Sequence, residues 1–163
     1  MSDSRVILIT GASSGIGKAC AEYLSRRGHT VYGTSRRAQA SASEPFQMIQ
    51  MDVNDDESVA RGIRLILEKE KRLDVVVNNA GLHLAGPIED ATVDEAKLQF
   101  ETNFFGVLRV CKAALPVMRQ QGTGYIINIS SIAGRAAAPY QGLYSAAKFA
   151  VEGLSEALRV EVR

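Results

Sequence analysis

Residues Val6 to Lys18, VILITGASSGIGK, constrain the fold more than any other stretch of this chain. Val6, Ile7, Leu8 and Ile9 form an unbroken apolar run, which suits a strand covered on both faces in a parallel sheet. A glycine-rich turn follows, with Gly11, Gly15 and Gly17 spaced GxxxGxG, and then Ala19, Cys20, Tyr23 and Leu24 recur at helical spacing. Strand, glycine loop and helix in that order bring unpaired N–H groups and partial positive charge to the loop. Such a helix start attracts phosphate, and glycines let the backbone approach it closely. A nucleoside-triphosphatase loop needs GxxxxGK followed by Ser or Thr. Here five residues separate Gly11 from Gly17 and Ala19 follows Lys18, so the magnesium-binding hydroxyl is missing. A flexible turn at Ala12-Ser13-Ser14-Gly15 and a dinucleotide site remain, and the position on the first strand and helix favours the second.

The 163 residues suffice for one domain with a buried core. A formal net charge of +1 without a long basic run gives no reason to expect a nucleic-acid partner. The apolar run of MSDSRVILIT is too short for a secretory signal, and no later stretch is apolar enough to span a membrane, so a cytoplasmic protein is expected. Cys20 and Cys111 lie in helical patterns without metal-ligand spacing and read as reduced, mostly buried thiols. His29 and His83 have no second ligand at metal spacing and read as incidental, so no metal is expected.

Further along, Thr30 to Thr34 reads as a second strand after Gly28 ends the first helix. Where a dinucleotide fold meets the adenosine ribose, an acidic residue accepts from the 2′-hydroxyl and an Arg accommodates a 2′-phosphate. This chain has Thr34-Ser35-Arg36-Arg37 there, which favours NADP over NAD, the other reading being a solvated loop edge. Gln39 to Glu44 reads as a loop and Phe46 to Met51 as a third strand ended by Asp52. Asn54 and Glu57 have capping-box spacing before a helix running to about Lys71, with Val59, Ile63, Ile66 and Leu67 on its buried face.

Leu73 to Val77 is a fourth strand, followed by Asn78-Asn79-Ala80-Gly81. These are either turn residues or the lining of the crevice where the strand order reverses. Thr92 and Glu95 open a long helical region that extends to about Gln121, bent near Pro116. Asn103 is an odd choice for its buried face, since a buried amide must find partners. Tyr125 to Ile129 is a fifth strand, and the alternation of strand and helix gives an α/β class with a parallel sheet.

The last third carries reactive groups. Ser130-Ser131 stands at the end of the fifth strand, and Tyr144 and Lys148 lie four apart at the start of a helix, Ser145 to Arg163, and so on one face. A Tyr phenol has a pKa near 10 and is a poor base at neutral pH, but an adjacent ammonium favours the phenolate. So placed, Tyr144 can exchange a proton with an alcohol or carbonyl oxygen.

TGASSGIG, NNAG, NISS and YSAAK, in that order and spread from Thr10 to Lys148, resemble the short-chain dehydrogenase/reductase family. AGPIED and KFAVEGLSEALRVE are similar to its steroid- and retinol-dehydrogenase-like branch. The resemblance implies a Rossmann-like doubly wound sheet of order 3-2-1-4-5 within a single dinucleotide-binding domain over residues 1–163. It implies hydride transfer between NADP(H) and a carbonyl or secondary alcohol. Tyr144 would be the general acid/base and would also touch the cofactor, and Lys148 would hold the nicotinamide ribose and depress the phenol pKa. Ser131 would bond the substrate oxygen, and Asn103 would hold a water of the proton relay. Gly11, Ser13, Ser14, Gly15, Ile16 and Gly17 would cradle the pyrophosphate. Ser35 and Arg36 would meet the 2′-phosphate, Asp52 and Val53 the adenine, and Asn79, Ala80 and Gly81 the nucleotide cleft.

Family members ordinarily continue with two more strands and a segment that closes over the substrate, whereas this chain stops at Arg163. The fifth strand is therefore expected at a sheet edge, with much of the substrate pocket absent. The chain is then part of a longer enzyme, a short NADP-binding or dimerising module without turnover, or a product without function. The helices Ala96 to Gln121 and Ser145 to Arg163 resemble the pair through which family members form homodimers and homotetramers. Small residues at Ala146, Ala147, Ala150 and Gly153 suit either such a contact or packing on the chain's own sheet. Leu82, Leu84, Ala136 to Ala138, Pro139, Tyr140 and Leu143 would give the cleft an apolar wall, pointing to a steroid-, retinoid- or lipid-like small molecule.

Overall fold

The computed structural model describes residues 4–37 and 44–162. Most of the loop expected from Gln39 to Glu44, and the terminal Arg163, lie outside the described residues. The elements are β1 (Val6–Ile9), α1 (Gly15–Arg26), β2 (Thr30–Ser35), β3 (Gln47–Gln50), α2 (Asp56–Glu70) and β4 (Val75–Asn78). They continue with α3 (Val93–Phe100), a π-helical turn (Glu101–Phe105), α4 (Gly106–Gln121), β5 (Tyr125–Asn128), a 3₁₀ turn (Ile132–Gly134) and α5 (Gly142–Glu161). The five strands form one sheet of order β3-β2-β1-β4-β5, and every pairing is parallel.

All four residues of β1 and of β4 are buried, because their alternate side chains enter two different cores. Val6, Leu8 and Val76 pack with Val59, Ile63 and Ile66 of α2 and with Val110 and Ala114 of α4. Ile7, Ile9, Val75 and Val77 point the other way, towards Ala21 of α1. A third cluster joins Val107 and Cys111 of α4 to Val151 of α5. The sheet is thus doubly wound, as the strand–helix alternation implies. Among the described residues no helix is long and apolar enough to cross a membrane.

Local chemistry shifts several boundaries. The N-cap of α2 is Asp55, not Asn54: the Asp55 carboxylate accepts from Ser58 N at 2.5 Å, while Asn54 turns its Nδ2 to Thr102 Oγ1 at 3.1 Å. Leu73 lies outside β4 because Gln121 bonds its backbone, accepting from Leu73 N at 2.8 Å and donating to Leu73 O at 3.0 Å. α5 starts at Gly142 rather than Ser145, which puts Tyr144 inside its first turn. On α1 the buried residues are Gly17 and Ala21, and Tyr23 is exposed; small side chains let this helix lie close to the sheet. The Thr92–Glu95 capping box is formed as its spacing predicts.

β5 is the sheet edge, and Tyr125 and Ile127 on its outer face are 56% and 47% exposed. Such a strand presents unpaired N–H and C=O groups along one side.

Candidate active site

The order of the sheet reverses between β1 and β4, and the turns that leave their carboxyl ends are tied together. Thr10 Oγ1 accepts from Asn79 N at 3.0 Å and Ala80 N at 2.9 Å, and Asn79 Nδ2 donates to Thr10 O at 2.9 Å and Gly11 O at 3.1 Å. This approach demands glycine twice. Gly11 has φ 66°, and a Cβ there would sit 2.8 Å from Ala80 Cα. A Cβ on Gly17 would overlap Asn79 Nδ2 and Gly11 O. Gly17 is buried behind the loop, packed against Asn79 and Gly11. Gly17→Ala is expected to cost about 2 kcal/mol of stability through this overlap, read as a lower Tm in a thermal melt together with weaker NADPH binding.

α1 starts at Gly15 behind Ser14, whose side chain makes no capping bond, and its first turn holds no carboxylate. α2 and α3, in contrast, each have a capped and acidic first turn. The N-terminus of α1 therefore keeps its N–H groups and its dipole available to an anion. It opens on a cleft of about 590 Å³. Gly11, Ser13, Ser14, Gly15 and Ile16 enter this cleft from the first loop, Ser35, Arg36, Asp52 and Val53 from the ends of β2 and β3, and Asn79, Ala80 and Gly81 from the end of β4. Thr34 and Leu82 also line it, as do Met51, Asn54 and Thr102, whose part in the cleft was not legible in the sequence. The donor set fits a dinucleotide with a 2′-phosphate: N–H groups and hydroxyls at the helix start, and an exposed guanidinium on Arg36 at the far strands.

On the other side of the β4 turn stands the Tyr–Lys pair of α5. Lys148 is 7% exposed and donates to Ile129 O at 2.7 Å, and its Nζ lies 5.7 Å from the Tyr144 ring centroid. Burial pushes the Lys148 pKa below the ordinary lysine value. The carbonyl it holds belongs to the strand exit that carries Ser130 and Ser131. Ser131 is the extended N-cap of the 3₁₀ turn; its Oγ accepts from Ala133 N at 3.1 Å, which leaves the hydroxyl proton free to donate outward. Ser130 Oγ, by contrast, is buried without a hydrogen-bond partner among the described residues.

Asn103 is fully buried in the π turn, and both ends of its amide bond Leu82: Oδ1 accepts from Leu82 N at 2.9 Å and Nδ2 donates to Leu82 O at 2.8 Å. Four residues earlier, buried Gln99 accepts from Leu84 N at 2.6 Å. The rest of α3 is exposed or half-buried and Gln99 is its one buried residue, so no apolar pattern in the sequence singles Gln99 out. Between the anchor points of the two amides, His83 meets Tyr144 with ring centroids 4.5 Å apart, so this histidine is not incidental to the arrangement.

A second cavity of about 270 Å³ adjoins this turn of α5. Leu84, Tyr140 and Leu143 line it together with Ile88, whereas Leu82 lies in the first cleft and Ala136 to Pro139 line neither.

Similarity to known proteins agrees with this geometry. The chain is 52% identical over 158 residues to a 3-ketodihydrosphingosine reductase of Bacteroides thetaiotaomicron, covering 97% of this chain and 58% of that protein. It is 38% identical over 171 residues to retinol dehydrogenase 8 of Bos taurus, covering 97% of this chain and 54% of that protein. Among solved structures, ElxO with NADP bound superposes with a TM-score of 0.92 at 35% identity, covering 98% of this chain and 68% of that one, and a Tyr-to-Phe variant of ElxO with NADPH bound fits equally well. The short chain dehydrogenase family model matches residues 5–163. The chain spans little more than half the length of these curated relatives, and over that span it belongs to the short-chain dehydrogenase family of oxidoreductases.

Proposed function

We propose that this chain is the cofactor-binding and proton-transfer part of an NADP(H)-dependent enzyme that interconverts a ketone and a secondary alcohol on an apolar molecule. The observation that carries this reading is Lys148, a buried ammonium anchored to the exit of β5 and set against the Tyr144 ring, next to a cleft whose donors suit a dinucleotide. When bound, the nicotinamide supplies or accepts the hydride. Tyr144 moves the proton to or from the substrate oxygen, which Ser131 holds with its free O–H. Lys148 keeps positive charge beside the phenol and so favours its ionised form. Leu82 takes one lone pair and one hydrogen of the Asn103 amide, and a relay water at this position would use the second of either.

The names of the relatives bear on the substrate. A reductase of a 3-keto sphingoid base and a retinol dehydrogenase both act, by name, on an oxygen function of an apolar molecule, and the second cavity here is lined mostly by apolar residues, with Asp90 and Glu95 also at its wall. Carbonyl reduction with NADPH is the preferred direction. The proposal further includes a single domain, a cytoplasmic setting, and a homodimer or homotetramer formed through α4 and α5, where Phe105 just before α4 and Phe149 on α5 are exposed.

Cofactor preference is tested by fluorescence titration with NADPH and NADH. Arg36→Ala should weaken NADPH by about tenfold or more, the worth of a charge-assisted phosphate contact, while NADH changes less than about threefold. An unchanged ratio of the two affinities counts against Arg36. A panel of ketones with NADPH separates this enzyme from a binding module without turnover.

A further inference from the structure

The segment that follows β4 is held by side chains at both of its leucines. Asn103 bonds the backbone N–H and C=O of Leu82, and Gln99 bonds the N–H of Leu84. Both amides are fully buried, so the two anchor points are fixed to the α3–π-turn layer rather than to solvent. In an extended segment successive side chains point to opposite sides. Leu82 and Leu84 are half-buried, and His83 between them is exposed and projects towards the first turn of α5. There its ring stands 4.5 Å from that of Tyr144 at an interplanar angle of 56°, a tilted ring contact.

We infer that His83 is a positioning residue for Tyr144: its ring, presented on a backbone clamped by Asn103 and Gln99, fixes the phenol in the orientation that proton transfer requires. This rests on the reading of Tyr144 as the proton-transfer group. Tyr144 is half-buried in the first turn of a helix and keeps rotamer freedom that Lys148 alone, anchored to Ile129 O, does not remove. Packing against a second ring removes it, and small losses of alignment at a reacting atom are expensive in rate. The contact needs a flat ring at position 83, not an ionisable one.

The test compares His83→Ala with His83→Phe in this chain. With NADPH and a medium-chain ketone, His83→Ala should lower kcat about tenfold with KM for the ketone and Kd for NADPH within about twofold, and His83→Phe should restore kcat to within about threefold of the parent. In parallel, spectra of chains carrying ring-labelled ¹³C tyrosine, with the Tyr144 signal assigned by its loss in Tyr144→Phe, read the contact without turnover. The Tyr144 resonance should shift in His83→Ala and keep a ring-current shift in His83→Phe. A parent chain that binds NADPH but reduces no ketone overturns the functional reading and leaves the resonance to decide the contact. Unchanged kcat in His83→Ala, equal losses in both variants, or a Tyr144 resonance indifferent to position 83 each overturn the positioning role.

Discussion

Tyr144→Phe should abolish turnover while leaving the fold and the cofactor site in place. The substitution removes one oxygen. The ring contact with His83 and the position above Lys148 involve ring atoms, which phenylalanine keeps. Tyr144 does not line the 590 Å³ cleft either, so the groups placed to hold a dinucleotide are untouched. What is lost is the only hydroxyl at that position able to exchange a proton with a substrate oxygen. General acid–base catalysis contributes typically 10²–10⁴-fold, and a loss of about 10³-fold in kcat is expected, with Kd for NADPH within about twofold. Stopped-flow or steady-state NADPH oxidation measures the first and fluorescence titration the second. A variant that keeps a tenth or more of the activity removes Tyr144 from the chemistry.

The parts of this molecule that were legible in sequence are those set by local pattern. Four apolar residues before a glycine loop can be buried on both faces in only a few ways, and Val6–Ile9 is the strand that the run predicts. The sheet order then follows from the family that the motifs identify. The N-cap of α2 was misplaced by one residue because Asn54, Asp55 and Asp56 all carry a capping side chain, and only the bond from Asp55 to Ser58 N distinguishes them.

Less legible was whatever depends on a side chain reaching distant backbone. Thr10 is adjacent to the glycine loop, yet its hydroxyl serves Asn79 and Ala80 in the turn after β4. Asn103 could be marked as anomalous in a buried helical face, but its partner, Leu82, lies 21 residues away. The π turn around it widens the helix at the point where that amide must reach outwards, and no helical periodicity announces it. His83 reads as incidental in the sequence because a histidine without metal spacing has no signal until the fold sets a ring beside it.

Lys148→Met should separate function from stability. Among the described residues the buried ammonium donates to the Ile129 carbonyl, and burial lowers its pKa from the ordinary value of 10.5. A lysine whose folded pKa lies below its unfolded value binds fewer protons folded than unfolded in the interval between them, so stability of the parent rises as pH increases through that interval. At neutral pH the charge is retained at a cost. Methionine fills similar volume without charge, although it leaves the Ile129 carbonyl unpaired, and the two effects oppose each other at about 1 kcal/mol each. The pH trend is free of that cancellation: the stability of Lys148→Met relative to the parent should fall as pH is raised through the interval between the lowered folded pKa and 10.5, read by denaturant melts at each pH. Activity should fall by about 10² or more at every pH, since the charge that favours the phenolate is gone. A flat stability difference would mean that Lys148 titrates in the folded chain as it does in water, which is incompatible with the desolvated site that the proposed chemistry uses.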